Sequence, residues 1–416
     1  MLSVLINVYA CSPHWGSEPG MGWNWVIALS KYCELYVITE GEWRDKIELA
    51  LEKVPTKDNI HFYYLPVKAS VRRMCWNQGN WLFYYFYRKW QLRAYKLACQ
   101  IIDNHHIDLI HQLNMIGFRE PGFMWRIQNI PMVWGPIGGL NLFPQAYLPS
   151  VAWKQAIKIR LKNMLNRIQM KYSMRVGQAV RRANALISAT PETVEWLTKV
   201  YQKNSYLISE TGCASVQNNA LRRVQCDSHS DYLHLLWVGR FFYAKQLNIA
   251  LETIALLKGL SVKLHIVGDG TDEEVSYYKD MARSLSIDDQ CVWHGRISHD
   301  RVYDMMRESH LLFFTSVSEA TSSVVFEAMQ CGLPILCFNT CGFGSVVNES
   351  IGIKISLSEP HTSAKEFASV IRQLCNDREA LKEMSDNCLS ELEQYTWEAK
   401  AKKVVSIYHK VMKCHG

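Results

Sequence analysis

Glu319 and Glu327 stand eight positions apart in the stretch EATSSVVFEAMQCGLP, residues 319–334. A carboxylate can orient a hydroxyl group or carry a proton, so its surroundings decide what a pair of them can do. Between the two, small and hydroxylic residues (Ala320, Thr321, Ser322, Ser323) give way to apolar ones (Val324, Val325, Phe326), which reads as a loop turning into a helix. The preceding run, 311–315, is a short continuous apolar stretch of the kind that forms a buried parallel strand. Glu319 is therefore expected just past the carboxyl end of a strand. The first N–H groups of the next helix, at Thr321 to Ser323, have no partners within it and make an anion site. Glu327 falls about two turns further on. Gly332 and Pro334 end the helix and lead into another strand, 335–338. By spacing alone, two such glutamates also fit a solvated helix face.

Four other groups of residues carry polar chemistry at expected strand ends. Gly239-Arg240, with Lys245 five residues on, can bring a guanidinium fork and an ammonium to one diphosphate. Val267-Gly268-Asp269-Gly270 allows backbone to approach a ligand closely, or simply makes a tight turn. Gly16-Ser17-Glu18-Pro19-Gly20-Met21-Gly22 follows the first strand and fits the dinucleotide pattern G-x-G-x-x-G only loosely. His111 ends the strand at 108–111 and is followed by Gln112, Leu113 and Asn114; it reads equally as a cleft residue or a satisfied structural histidine.

The elements that must hold these groups alternate strand and helix. Strands are expected at 2–9, 34–39, 60–66, 108–111, 132–134, 185–188 and 206–209, with helices at 21–30, 84–104, 153–182 and 192–201. A polar segment, 216–231, reads as a linker, after which strands resume at 233–238, 262–267, 291–293, 311–315, 335–338 and 353–355. Two Rossmann-like doubly wound parallel-sheet domains follow from this α/β order, with a ligand expected between them. The chain's 416 residues fit two domains of roughly 200 each. The 13 cysteines show no metal-binding spacing and read as reduced thiols. The first apolar run is too short, and lacks the basic flank, for an export signal. A cytoplasmic, soluble or peripheral protein is expected.

The net charge of +7 is unevenly spread. Residues 68–97 and 151–182 carry seven and nine Lys/Arg with no acid, while the remainder has 30 bases against 39 acids. In 153–182, Ile157, Leu161, Leu165, Ile168, Tyr172, Val176 and Ala179 form one apolar stripe beside Lys154, Lys158, Lys162, Arg167, Lys171 and Arg175. Aromatics crowd 76–90. This combination points to the inner face of an anionic membrane, although the stripe could instead pack inward. No base-recognition module is visible, so nucleic acid is not an expected partner.

The order of strand, Glu319, small residues, helix, Glu327-Ala328 and Gly332-x-Pro334 resembles the E-x7-E element of the retaining family 4 glycosyltransferases (glycosyl transferases group 1), with Ala320 at the usual glycine. Gly239-Arg240 and Lys245 resemble that family's G-R-x4-K element, with Gln246 where glycine commonly follows. The resemblance implies a GT-B fold: an acceptor-side domain, 1–215, rejoined by a crossover helix in 396–416, and a sugar-nucleotide domain, 231–395. It implies a metal-independent hexosyltransferase-like enzyme with no cofactor, using a nucleotide-diphosphate sugar and a glycan or lipid-linked acceptor, in surface polysaccharide synthesis. Glu319 would hold a sugar hydroxyl, and Arg240 and Lys245 the leaving diphosphate. Gly16, Ser17, Gly239, Gly268, Ala320, Thr321, Ser322 and Ser323 would contact the donor, Glu327 its ribose, and the 292–296 loop with His294 its base, largely through backbone. His111 or Asn114 would serve near the transferred sugar, with Arg119, Gly138 and Gly139 on acceptor-side loops. A sugar-nucleotide epimerase would need flanking acid/base residues, for which only His111 offers itself. A pyridine-nucleotide oxidoreductase is disfavoured by the broken glycine pattern, and a two-lobed solute-binding protein by the missing export signal.

Overall fold

A computed structural model describes residues 1–75, 82–214 and 231–414. The chain divides into two compact units. Unit 1 comprises 1–140, 165–212 and 396–416, and unit 2 comprises 141–164 and 213–395. The linker expected at 216–231 lies outside the described residues except for Asp231.

Unit 1 is built on seven parallel strands: β1 (Leu2–Val8), β2 (Cys33–Thr39), β3 (Ile60–Tyr64), β4 (Leu109–Asn114), β5 (Met132–Ile137), β6 (Ala185–Ser188) and β7 (Tyr206–Leu207). Their order in the sheet is β3-β2-β1-β4-β5-β6-β7. Unit 2 has six: β8 (Leu233–Val238), β9 (Val262–Val267), β10 (Cys291–Gly295), β11 (Leu311–Phe314), β12 (Ile335–Phe338) and β13 (Gly352–Ile355), in the order β10-β9-β8-β11-β12-β13. In each sheet the sequence order reverses beside the first strand, at β1/β4 and β8/β11, so the loops after those strands diverge and leave a crevice at the strands' carboxyl ends. The central strands are buried on both faces, which is why they read as unbroken apolar runs.

Three expectations need correction. Residues 141–164 pack with unit 2: Phe143, Tyr147, Leu148, Val151 and Ile159 enter its core, and the Tyr147 hydroxyl lies 2.9 Å from the Ser363 hydroxyl. The single helix expected over 153–182 is two, Trp153–Tyr172 and Met174–Arg182, because Ser173 turns extended and its hydroxyl caps the second helix by accepting from the Val176 N–H. The first helix begins at Ser17, so the glycine-rich segment forms its opening turn. Gly20 and Gly22 are what that packing needs, since a Cβ would come within 2.1 Å of the Trp15 carbonyl oxygen or 2.2 Å of that of Ala10.

The last helix, Trp397–Lys413, is capped by the Thr396 hydroxyl and packs into unit 1 through Ala401, Val404, Ile407, Tyr408 and Val411. Tyr408 reaches His111, which is fully buried on β4. Its hydroxyl is 2.6 Å from Nδ1, while Nε2 is 2.7 Å from the Gly135 carbonyl oxygen. A carbonyl only accepts, so Nε2 carries the proton and Nδ1 accepts from Tyr408. Burial pushes the His111 pKa down to about 4, which keeps the ring neutral.

Removing 396–416 should therefore give protein that melts well below the full chain or fails to stay soluble. Tyr408→Phe should lower stability by about 1–3 kcal/mol, because a buried ring nitrogen loses its partner. Thermal unfolding by circular dichroism checks both, and a truncated protein melting with the full chain would contradict the packing.

Candidate functional site

The polar residues of unit 2 gather at the carboxyl ends of its strands. After β8 the chain passes Gly239 and Arg240 into a short 3-10 turn, Tyr243–Lys245, and then the helix Leu247–Ala255. After β11 it passes through Thr315 to Ser322 into the helix Ser323–Gln330. These loops are tied by backbone and side chain. Val317 N–H donates to the Ala244 carbonyl (2.9 Å), and the Thr315 hydroxyl donates to the Lys245 carbonyl (2.7 Å) while accepting from the Trp237 indole (3.0 Å).

The two charged groups chosen from sequence meet there. Lys245 Nζ lies 2.5 Å from Glu319 Oε1, both side chains largely buried, and the ammonium also stands 4.9 Å over the Phe314 ring. Glu319 is held at its own backbone, its N–H donating to Cys341 Sγ (3.4 Å) and its carbonyl accepting from Asn141 (3.0 Å). Ser322 occupies the N-cap of the helix Ser323–Gln330, but its side chain makes no capping hydrogen bond, so that helix start keeps N–H donors available to an anion. Thr321 and Ser322 are nearly buried, Ser323 is exposed, and the Ala320 carbonyl accepts from Gly342 N–H (2.8 Å). Glu327, on this helix, is 3.7 Å from His299 Nε2. Arg240 is exposed and makes no ion pair among the described residues.

Gln246 has φ 52°, the left-handed conformation a glycine would take more readily, and its amide donates 2.6 Å to the Tyr243 carbonyl. Gly268, at φ 137°, could not be any other residue, since a Cβ would sit 1.7 Å from the Gly239 carbonyl oxygen. Its N–H donates to the Gly295 carbonyl (2.9 Å), which joins the loops after β8, β9 and β10. His294 ends a row of imidazoles. Its Nε2 is 3.0 Å from His265 Nδ1, and His265 Nε2 is 2.9 Å from His234 Nδ1. The row continues to His310, whose Nδ1 accepts from the His234 backbone N–H (2.9 Å). Burial lowers the pKa values of His234, His265 and His294, reinforced for His265 by its neighbours His234, His294 and Lys263, which take it to about 4.

In unit 1, two of the residues proposed to face the sugar are turned to other work. His111 has both ring nitrogens engaged inside the unit, so the expectation of a catalytic role is corrected. Asn114 is fully buried and clamps the segment before the first helix: Nδ2 donates to the Ala10 carbonyl (2.8 Å) and Oδ1 accepts the Ala10 N–H (3.3 Å). A further contact, from Nδ2 to the Glu18 carbonyl (3.4 Å), ties it to the opening turn of that helix. Arg119 donates through Nε to Asn166 Oδ1 (3.0 Å) and lies beside Gly139, and Gly138 exchanges hydrogen bonds with Ile116 and Phe118. Sequence reading passed over Ser316, whose hydroxyl is buried without a hydrogen-bond partner beside the Lys245–Glu319 pair's loops; only its position after β11 could have signalled it. It also passed over Glu18, whose Oε1 accepts from the Ile116 N–H (3.2 Å) while Oε2 is buried without a hydrogen-bond partner. Among the described residues no cluster of His, Cys, Asp or Glu is placed to hold a metal ion.

Residues 222–389 match the family model described as Glycosyl transferases group 1. The chain is 22% identical over 182 residues to the phosphatidylinositol N-acetylglucosaminyltransferase gpi3 subunit of Schizosaccharomyces pombe, covering 44% of this chain and 39% of that one. It is 27% identical over 168 residues to a D-inositol 3-phosphate glycosyltransferase of Rhodococcus erythropolis, covering 39% and 37%. The chain thus spans less than half the length of these curated relatives. Among solved structures it is similar to the sucrose-phosphate synthase of Thermosynechococcus elongatus (TM-score 0.64, 16% identity, 100% of both chains) and to HepE of Anabaena in complex with UDP and glucose (0.58, 14%, 99% and 100%). The fold is GT-B, with two Rossmann-like domains.

The imidazole row makes a prediction about acid. His234, His265 and His294 bind protons less well folded than unfolded, so their contribution to stability is complete above the ordinary histidine pKa and is lost as pH falls toward about 4. Urea unfolding should show stability declining from pH about 6.5 to about 4. His265→Gln should flatten that decline, and an unchanged pH dependence would count against the row.

Proposed function

We propose that the chain is a retaining glycosyltransferase that moves a sugar from a nucleotide-diphosphate donor to a glycan or lipid-linked acceptor in surface polysaccharide synthesis. The observation that carries this reading is the Lys245–Glu319 contact of 2.5 Å beside an uncapped helix start, within the segment matched by the glycosyltransferase model. Cleaving a sugar–diphosphate bond puts negative charge on the leaving group and positive charge on the ring. Lys245, Arg240 and the N–H groups opening the helix Ser323–Gln330 stabilise the former, and their fixed placement is what makes such groups effective. Glu319, steadied by Lys245, accepts from a donor-sugar hydroxyl. Glu327 takes the ribose hydroxyls. Proton removal from the acceptor falls to the leaving diphosphate oxygen on the face of departure, so the reading requires neither a protein base nor a metal. HepE's complexes with UDP and glucose support a nucleotide sugar as donor.

Association with an anionic membrane belongs to the same proposal. The helix Trp153–Tyr172 buries Ile159, Asn163 and Asn166 and leaves Trp153, Ile157, Leu161, Met164, Leu165, Ile168 and Tyr172 exposed. Lys154, Lys158, Lys162, Arg167 and Lys171 are exposed on the same helix, which suits anionic headgroups. The stripe is shorter than expected, because Val176 and Ala179 are buried in unit 1. Phe83, Tyr87 and Trp90 are likewise buried, and 76–81 lie outside the described residues. No helix of the described residues is long and apolar enough to cross a membrane.

Purified protein incubated with a panel of sugar nucleotides should release nucleotide diphosphate slowly, and Lys245→Ala or Glu319→Gln should reduce this by roughly 10²-fold. Sugar interconversion without nucleotide release would instead identify an epimerase, and binding without turnover a ligand-binding protein. Sedimentation with vesicles should rise with anionic lipid and fall with salt. Replacing Lys158, Lys162, Arg167 and Lys171 by Gln should abolish the difference between neutral and anionic vesicles.

A further inference from the structure

Unit 2 holds a cavity of about 740 Å³ bounded by the segment 149–155, the turn 241–248 and the opening of the helix Asp272–Ser284. Its walls are aromatic. Phe241, Phe242, Tyr243, Tyr277 and Tyr278 line it and brace one another. Ring centroids stand 4.1 Å apart for Phe242 and Tyr243, 5.5 Å for Phe241 and Tyr278, and 5.1 Å for Tyr277 and Tyr278. Phe242 and Tyr277 are nevertheless 47% and 57% exposed, large apolar surface that a covering partner would take out of water.

The polar groups of the lining are biased toward accepting. Glu273 and Glu274 contribute two carboxylates, and no lysine or arginine is among the described residues that line the cavity. Glu274 Oε2 accepts from the Thr271 N–H (2.9 Å), which fixes that carboxylate in place. Hydrogen bonds from its own N–H and from Thr271 hold the Glu273 carboxyl below the usual range, so it is charged at neutral pH. Two donors of the lining are already used: the Ser150 hydroxyl donates to the Tyr147 carbonyl (2.8 Å) and the Gln246 amide to that of Tyr243 (2.6 Å). What Gln246 has left is Oε1, an acceptor without a hydrogen-bond partner on a side chain that is 1% exposed. Ring faces, carboxylates and a spare amide oxygen all suit one kind of ligand, a cation rich in N–H groups. The same carboxylates repel phosphate, which separates this cavity in chemistry from the neighbouring Lys245. Among organic cations a guanidinium suits it best, being flat enough to stack on a ring and forked to match a carboxylate. A volume of about 740 Å³ also leaves room for the chain that carries it.

We propose that this cavity docks an arginine-bearing peptide segment of a partner protein, the guanidinium lying against the rings at the mouth and paired with Glu273 or Glu274, with an N–H directed to Gln246 Oε1. Such docking is independent of glycosyl transfer and tethers unit 2 to a second protein.

The test titrates the full chain into fluorescein-labelled Gly-Arg-Gly-Arg-Gly and reads fluorescence anisotropy at low and high salt. The same peptide is made with citrulline, which keeps the shape and loses the charge, and with lysine. The arginine peptide should bind saturably, about tenfold more tightly than the citrulline peptide, and weaken as salt rises. Lysine should bind less well than arginine, since a point charge neither stacks nor forks. Glu273→Gln and Tyr277→Ala should each weaken arginine binding by about tenfold, and the second stands in if the first fails to fold. Both should release nucleotide diphosphate from sugar nucleotides at the wild-type rate, because neither belongs to the Lys245–Glu319 site. No saturable binding, equal affinity for the citrulline peptide, or wild-type affinity in both variants overturns the proposal. So does a joint loss of peptide binding and nucleotide release, which would put the peptide in the transfer site.

Discussion

Lys400 is 2% exposed between the rings of Trp25 and Trp397, each 5.2 Å from its ammonium, which donates to the carbonyls of Ser209 and Thr211 and to the Ser209 hydroxyl. Removing an ammonium from water costs several kcal/mol, and here three oxygens and two aromatic faces must offset it. That condition is met only when the last helix, the first helix and the 209–211 segment are all in place. Those pieces come from both ends of the chain, with nearly all of unit 2 inserted between them. Unit 1 therefore cannot complete itself until the helix Trp397–Lys413 has been made, and its strand carrying His111 is closed by the same helix through Tyr408.

Within unit 2 the governing constraint is the parallel sheet. Strands that all run one way deliver their following loops to one edge, and β8 and β11 are neighbours, so Lys245 and Glu319 meet although 74 residues separate them in sequence. Thr315, Trp237 and Gly268 are what keep the meeting point in shape, and none of the three supplies charge.

Strands buried on both faces leave continuous apolar runs, so nearly every one was legible, as was the placing of Lys245 and Glu319 at strand ends. What escaped was decided by tertiary partners. His111 and Asn114 looked like ligands because of their place at the end of β4. The side chains instead serve Tyr408, Gly135 and Ala10, which lie 297, 24 and 104 residues away. Glu18 was hidden inside a glycine pattern that drew attention to its neighbours. The break at Ser173 is one hydroxyl choosing the Val176 N–H, within a run whose apolar spacing continues unbroken. The apolar stripe of the helix Trp153–Tyr172 was visible, but its direction was not: Asn163 and Asn166 are drawn inward by Phe143 and Arg119, which turns Ile157, Leu161 and Leu165 out.

Gln246 stands where the glycosyltransferase family that this chain resembles commonly has glycine. A side chain in the left-handed region costs roughly 1 kcal/mol, and the amide's bond to the Tyr243 carbonyl offsets part of it. Glycine at this position would leave the backbone free to choose either sign of φ. Gln246, 1% exposed and bonded back across the turn, leaves it far fewer conformations. The ordering entropy of the lysine-bearing turn has thus been spent during folding, and the segment that holds Lys245 has little conformational freedom left to lose.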